Sequence, residues 1–146
     1  MSAFRQLTDA VFASPQLTPE DVKAAKDLGV TLIINNRPDG EDPSAPQGDE
    51  IASAAAQAGI DYLAIPVGHS GFSWPQVDAM AQALQDAQGK VLAYCRSGTR
   101  STMLWAMARA KLGDQPAAIA AAADQAGYSV EPVLASIEML AKQRSE

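Results

Sequence analysis

From Val91 to Ser101 the chain reads Val-Leu-Ala-Tyr-Cys-Arg-Ser-Gly-Thr-Arg-Ser, an aliphatic and β-branched run that stops at a cysteine and passes through a polar loop into a helix start. A strand feeding a helix through so short a loop is one βα unit, and repeated βα units assemble into a mainly parallel sheet. The same segment carries chemistry. At a helix start several backbone N–H groups lack intrahelical acceptors, so an anion is favoured there. Cys95 stands in that field beside Arg96 and Arg100, surroundings that favour a nucleophilic thiolate. Gly98 allows a turn that a Cβ would obstruct. Arg100 offers a planar fork matched to a tetrahedral oxyanion, and Ser101 a hydroxyl able to bond the Cys95 sulfur. Free cysteines are commonly packing residues, but packing gains nothing from two arginines so close. Cys95, Arg100 and Ser101 are therefore read as catalytic, with Arg96, Ser97, Gly98 and Thr99 as the anion-binding loop.

The rest of the chain repeats the alternation. Thr18-Pro19-Glu20-Asp21 starts a helix that ends at Gly29, and a strand follows over Val30 to Asn35. Residues 36–43 form a loop too charged for a simple turn. A helix from about Asp49 to Ala58 leads to a strand over Ile60 to Val67, with Gly68-His69-Ser70-Gly71 as its exit. Ser73-Trp74-Pro75 caps a helix running to about Ala87, and Lys90 to Tyr94 is the strand before the cysteine. Beyond it come a helix apolar over most of its circumference, an Ala-rich helix over Ala117 to Ala126, and a helix from Pro132 to Gln143, packed on one side of the sheet. The expected class is α/β, with a mainly parallel central sheet and a helical C-terminal part. In such sheets the loops at the carboxyl ends form the crevice; here these are 36–43, 68–73 and 95–101.

At 146 residues the chain is read as a single domain over 1–146. A net charge of −6 repels nucleic acid and anionic lipid, so neither is an expected partner, and a small anionic substrate needs a local positive site. One cysteine permits no internal disulfide and no resolving thiol, which fits a reducing compartment. With no signal-like N-terminus and no membrane-length apolar run, a cytoplasmic location is expected.

Tyr94 to Ser101 closely resembles the active-site loop of single-domain rhodaneses, whose cysteine carries sulfane sulfur as a persulfide. Asp61-Tyr62-Leu63-Ala64-Ile65-Pro66-Val67 and the helical tail instead resemble dual-specificity and tyrosine phosphatases. Over nearly its full length the chain is similar to the bacterial beta-lactamase hydrolase-like protein, phosphatase-like domain family. The similarity rests on Phe12 to Leu17, Ile34 to Glu41, Ile65-Pro66-Val67 and Tyr94 to Ser101. That resemblance implies a phosphatase-like fold and phosphatase activity, and places Arg37 and Asp39 in the crevice, where an ion pair between them holding the Pro38 turn is the alternative. In some multidomain relatives the domain is fused to a persulfide-dioxygenase-like metallohydrolase, which suggests sulfur chemistry and a partner of that kind.

Two departures separate the chain from cysteine phosphatases. Those enzymes place five residues between cysteine and arginine; here Arg96, Ser97, Gly98 and Thr99 make four. They also carry an aspartate in the loop after the Ile-Pro-Val-like strand, and 68–73 has no carboxylate. A smaller cradle and a missing acid suit sulfur transfer, since sulfite leaves as a weakly basic anion. The first expectation is thus a sulfurtransferase: Cys95 takes sulfane sulfur from thiosulfate or a persulfide and yields it to an external thiol or cyanide. A cysteine phosphatase with His69 or Asp39 as acid is the alternative, and an oxyanion-binding or persulfide-sensing module a third. His69, the only histidine, is read as a proton donor because an ordinary imidazole changes charge near neutrality, with a solvent-exposed loop residue as the alternative. None of these readings calls for a cofactor or a metal.

Overall fold

The strand leading to Cys95 is the central one of five. The computed structural model describes residues 3–68 and 70–145. Among these the sheet runs β1 (Arg5–Thr8), β2 (Val11–Ser14), β5 (Lys90–Tyr94), β3 (Val30–Asn35), β4 (Asp61–Ala64) from edge to edge. All neighbours pair in parallel except β1, which lies antiparallel on β2. Ser14 and Asn35 both stand level with Tyr94, and Ala64 with Asn35. The chain therefore leaves four parallel strands at one height, and their exit loops converge on one end of the sheet.

Successive strand residues point to opposite faces, which divides the core in two. Ile33, Leu92 and Tyr94 pack with Val22 and Ala25 of α1 (Pro19–Asp27) and Ile51 and Ala55 of α2 (Gly48–Ala58). On the other face Ile34 and Ala93 meet α3 (Trp74–Asp86), α4 (Thr99–Leu112), α5 (Pro116–Gln125) and α6 (Leu134–Ser145). α4 is the centre of that layer: Leu104, Trp105, Ala106 and Ala108 are fully or almost fully buried, and α3, α5 and α6 all pack on it. The apolar circumference read from its sequence has this cause. Helix starts fall where the capping residues put them. Thr18 and Asp21 form a reciprocal box at α1, as Ser73 and Gln76 do at α3.

Three details differ from the sequence reading. The hairpin β1–β2 was not expected; each strand has only four residues, too few to display a period. The strand expected over Ile60 to Val67 is regular only to Ala64. Beyond it, Ile65 N–H still bonds Asn35 O at 2.9 Å and Val67 N–H bonds Asn36 O at 3.0 Å, on either side of Pro66, which has no N–H to give. The last helix starts at Leu134 because Glu131–Val133 forms a 3₁₀ turn first. No described helix is long and apolar enough to cross a membrane.

Candidate active site

Cys95 is fully buried at the end of β5. The loop behind it is tied to the exit of β2: Cys95 N–H donates to Ser14 O at 3.3 Å, and Gln16 N–H to Arg96 O at 3.2 Å. Gly98, at φ 96°, turns the chain into α4 in a conformation only glycine adopts cheaply. That turn directs Gly98 N–H at the Cys95 sulfur, 3.1 Å away. Thr102 fixes the carbonyl of the same glycine through both its N–H (3.0 Å) and its hydroxyl (2.8 Å). Ser97 and Thr99 join their hydroxyls at 3.0 Å on the outer side of the loop. Ser101 is completely buried, but its Oγ makes no hydrogen bond, so the expected bond to the sulfur is absent. The Gly98 amide occupies that role.

Arg100 reaches out of α4 to the two neighbouring loops. Its Nη1 donates to Glu41 Oε2 at 2.9 Å and to Val67 O at 2.7 Å, and its Nη2 to Glu41 Oε1 at 2.7 Å. Arg37, only 9% exposed, donates through Nε to the same Glu41 Oε1 at 3.0 Å and through Nη1 to Gln16 Oε1 at 2.9 Å. The Arg100 hydrogen bonds, with those of Arg37, hold the Glu41 carboxyl down to about 2. Glu41 in turn keeps Arg100 firmly charged, and the nearby Cys95 sulfur adds to this. The exit loops of all four parallel strands thus meet in one charge-assisted network beside the buried thiol.

Asp39 lies outside this network. Asp39 Oδ1 accepts the Gly48 N–H at the start of α2 at 2.9 Å, among Asn35 and Tyr62. It forms no pair with Arg37, whose carboxylate partner is Glu41. Arg96 is exposed and makes no ion pair among the described residues. Its charge is felt at Asp42, which the Ser44 hydroxyl chiefly holds below the usual carboxylate range. Phe72 and Trp74, at the entry to α3, line a separate cavity of about 440 Å³ with Met107 and Ser136. His69 lies outside the described residues.

Residues 3–112 match the family described as beta-lactamase hydrolase-like protein, phosphatase-like domain. The chain belongs to that family. A beta-lactamase hydrolase-like protein of Xylella fastidiosa (strain Temecula1) is 40% identical over 79 residues, which are 54% of this chain and 18% of that protein. The chain therefore matches under a fifth of that curated relative's length. A candidate phosphatase from Neisseria meningitidis Z2491 is 33% identical in its crystal structure, with a TM-score of 0.82 over 96% of this chain and 99% of that one. PTPMT1, crystallised with PI(5)P, shares the fold at 16% identity, with a TM-score of 0.75 over 99% of this chain and 97% of that one. The fold is that of the dual-specificity-like cysteine phosphatases. These findings back the phosphatase alternative over sulfur transfer, which they do not show.

Within this phosphatase-like domain, three residues that touch the cysteine loop or its arginine were not singled out from sequence. Glu41 stands four residues after Arg37, at the end of the Ile34 to Glu41 stretch that carries the family resemblance, and its bond to Arg100 spans 59 positions. Gln16 bridges Arg37 and the β2 exit. Tyr128, between α5 and α6, donates its hydroxyl to Ser97 O at 3.0 Å. Gln16 and Glu41 lie in stretches that carry the family resemblance, which was the signal available for them.

Proposed function

We propose that this domain is a cysteine-dependent phosphatase acting on phosphomonoesters, with Cys95 as nucleophile. The observation that carries the reading is the clamp on Arg100. Glu41 and the Val67 carbonyl take both Nη1 hydrogens and one of Nη2, leaving Nε–H and the second Nη2–H to grip an anion at Cys95. A thiolate attacks phosphorus opposite the ester oxygen, so that an S–P bond forms as the P–O bond breaks. The amides of the 96–101 loop and Arg100 neutralise the equatorial oxygens. Water then cleaves the S–P bond, releasing inorganic phosphate and restoring the thiolate.

The departing oxygen needs a proton. Asp39 is engaged by Gly48, so His69 is assigned this step. The substrate class is a phosphomonoester, in line with the phosphorylated ligand of PTPMT1. A series of aryl phosphates of graded leaving-group basicity tests the reading. Turnover lost on Cys95→Ser is expected, and no phosphate release from any member would refute it.

The four-residue spacing from Cys95 to Arg100 favours a second reading, rhodanese-type sulfur transfer. There the thiolate attacks the outer sulfur of thiosulfate, the new S–S bond forms as sulfite departs, and an external thiol or cyanide removes the sulfur. The two reactions share the nucleophile and the arginine, and differ in the adduct.

A further inference from the structure

We propose that Tyr128 is a positioning residue that sets the reactivity of Cys95 through one peptide group. The Ser97–Gly98 peptide is bonded on both sides: its carbonyl accepts the Tyr128 hydroxyl at 3.0 Å, and its N–H donates to the Cys95 sulfur at 3.1 Å. In a trans peptide these two groups point in opposite directions, so anchoring the carbonyl outward aims the N–H inward. Accepting a hydrogen bond at the carbonyl also polarises the peptide and strengthens its donation to the sulfur.

The anchor has a purpose at this position because Gly98 sits at φ 96°. A glycine lacks the Cβ that would resist rotation of the preceding peptide, and a flipped peptide would turn its carbonyl dipole on the sulfur. Side-chain space at Gly98 is already taken by Tyr128: a Cβ there would land on its hydroxyl. Tyr128 is itself held. Its N–H bonds Ala123 O at 2.9 Å, Arg5 donates to Ala126 O at 3.1 Å, and the Arg5 guanidinium lies 5.6 Å from the Tyr128 ring centre. Burial pushes the phenol above its ordinary value, so it remains a donor throughout the working pH range. The residue lies beyond position 112, where the family match ends. The connection between α5 and α6 therefore reaches back to tune the nucleophile.

This inference rests on Cys95 as the reactive thiol and not on the choice of substrate. Tyr128→Phe keeps the ring against Gly98 and removes the hydroxyl alone. The rate of iodoacetamide alkylation, followed by intact mass from pH 4 to 10, reports on Cys95 without ambiguity because it is the only cysteine. In Tyr128→Phe the pH at which the rate is half-maximal should rise by about 0.5 unit or more, with the high-pH plateau unchanged and the thermal midpoint lowered by only a few degrees, the worth of one hydrogen bond. An unmoved half-maximal pH, or a rate lowered by one factor at every pH, would overturn the proposal. Alkylation needs no phosphate ester, so failure of phosphatase turnover leaves this result readable by itself.

Discussion

At the residue scale, Glu41 is where two arginines converge, Arg37 from its own loop and Arg100 from α4. Held at about 2 against an ordinary 4.5, its carboxyl is depressed in the folded state. A depressed acid contributes stability that is present above pH 4.5 and is lost as pH falls towards 2. Glu41→Gln should therefore flatten the loss of stability across that window in acid-unfolding curves. At neutral pH it should cost about 2 kcal/mol, the worth of charge-assisted bonds to partly buried partners, and lower turnover by freeing Arg100. The arginines are not equivalent. Arg100→Lys keeps the charge but loses the fork that serves Glu41, Val67 and the anion together, so sulfate affinity should drop by about tenfold or more. Arg96→Lys, on an exposed side chain without an ion pair, should stay within about twofold. Equal losses in a calorimetric titration would reverse these roles.

At the scale of elements, the cysteine loop and α4 behave as one device. Gly98→Ala places a Cβ on the Tyr128 hydroxyl at a φ of 96°, so it should destabilise the fold by at least about 2 kcal/mol in denaturant titration. What the sequence displays and what it hides follow from range. Thr18, Ser73 and Gly98 act on neighbours within four positions, and the helices they start were legible from them. The strand–cysteine–helix segment was legible for the same reason. The β1–β2 hairpin left no period to read, and Glu41 and Tyr128 meet the cysteine loop only through chain reversals of 59 and 31 positions. Ser101 shows the opposite error: spacing placed a hydroxyl near the sulfur, and the local turn gave that place to a backbone amide.

For the whole molecule, the level ends of β2, β3, β4 and β5 decide what can happen at Cys95, because they deliver its loop, Glu41 and Val67 to one point. The family and fold are those of a phosphatase-like domain, while four residues separate Cys95 from Arg100, one fewer than the resemblance to cysteine phosphatases leads one to expect. If His69 protonates the leaving oxygen, His69→Ala should slow hydrolysis of a poorly leaving aryl phosphate by about 10²-fold and spare one that leaves easily; equal losses on both substrates would remove it from proton transfer. The most direct test of the phosphatase reading uses one preparation in two tubes, one holding an aryl phosphate and the other thiosulfate, with product release and intact mass followed in each. The account predicts repeated release of phosphate that Cys95→Ser abolishes, with no lasting sulfur adduct. A chain that gains one sulfur atom on Cys95, gives it up to cyanide and leaves the aryl phosphate untouched would contradict it.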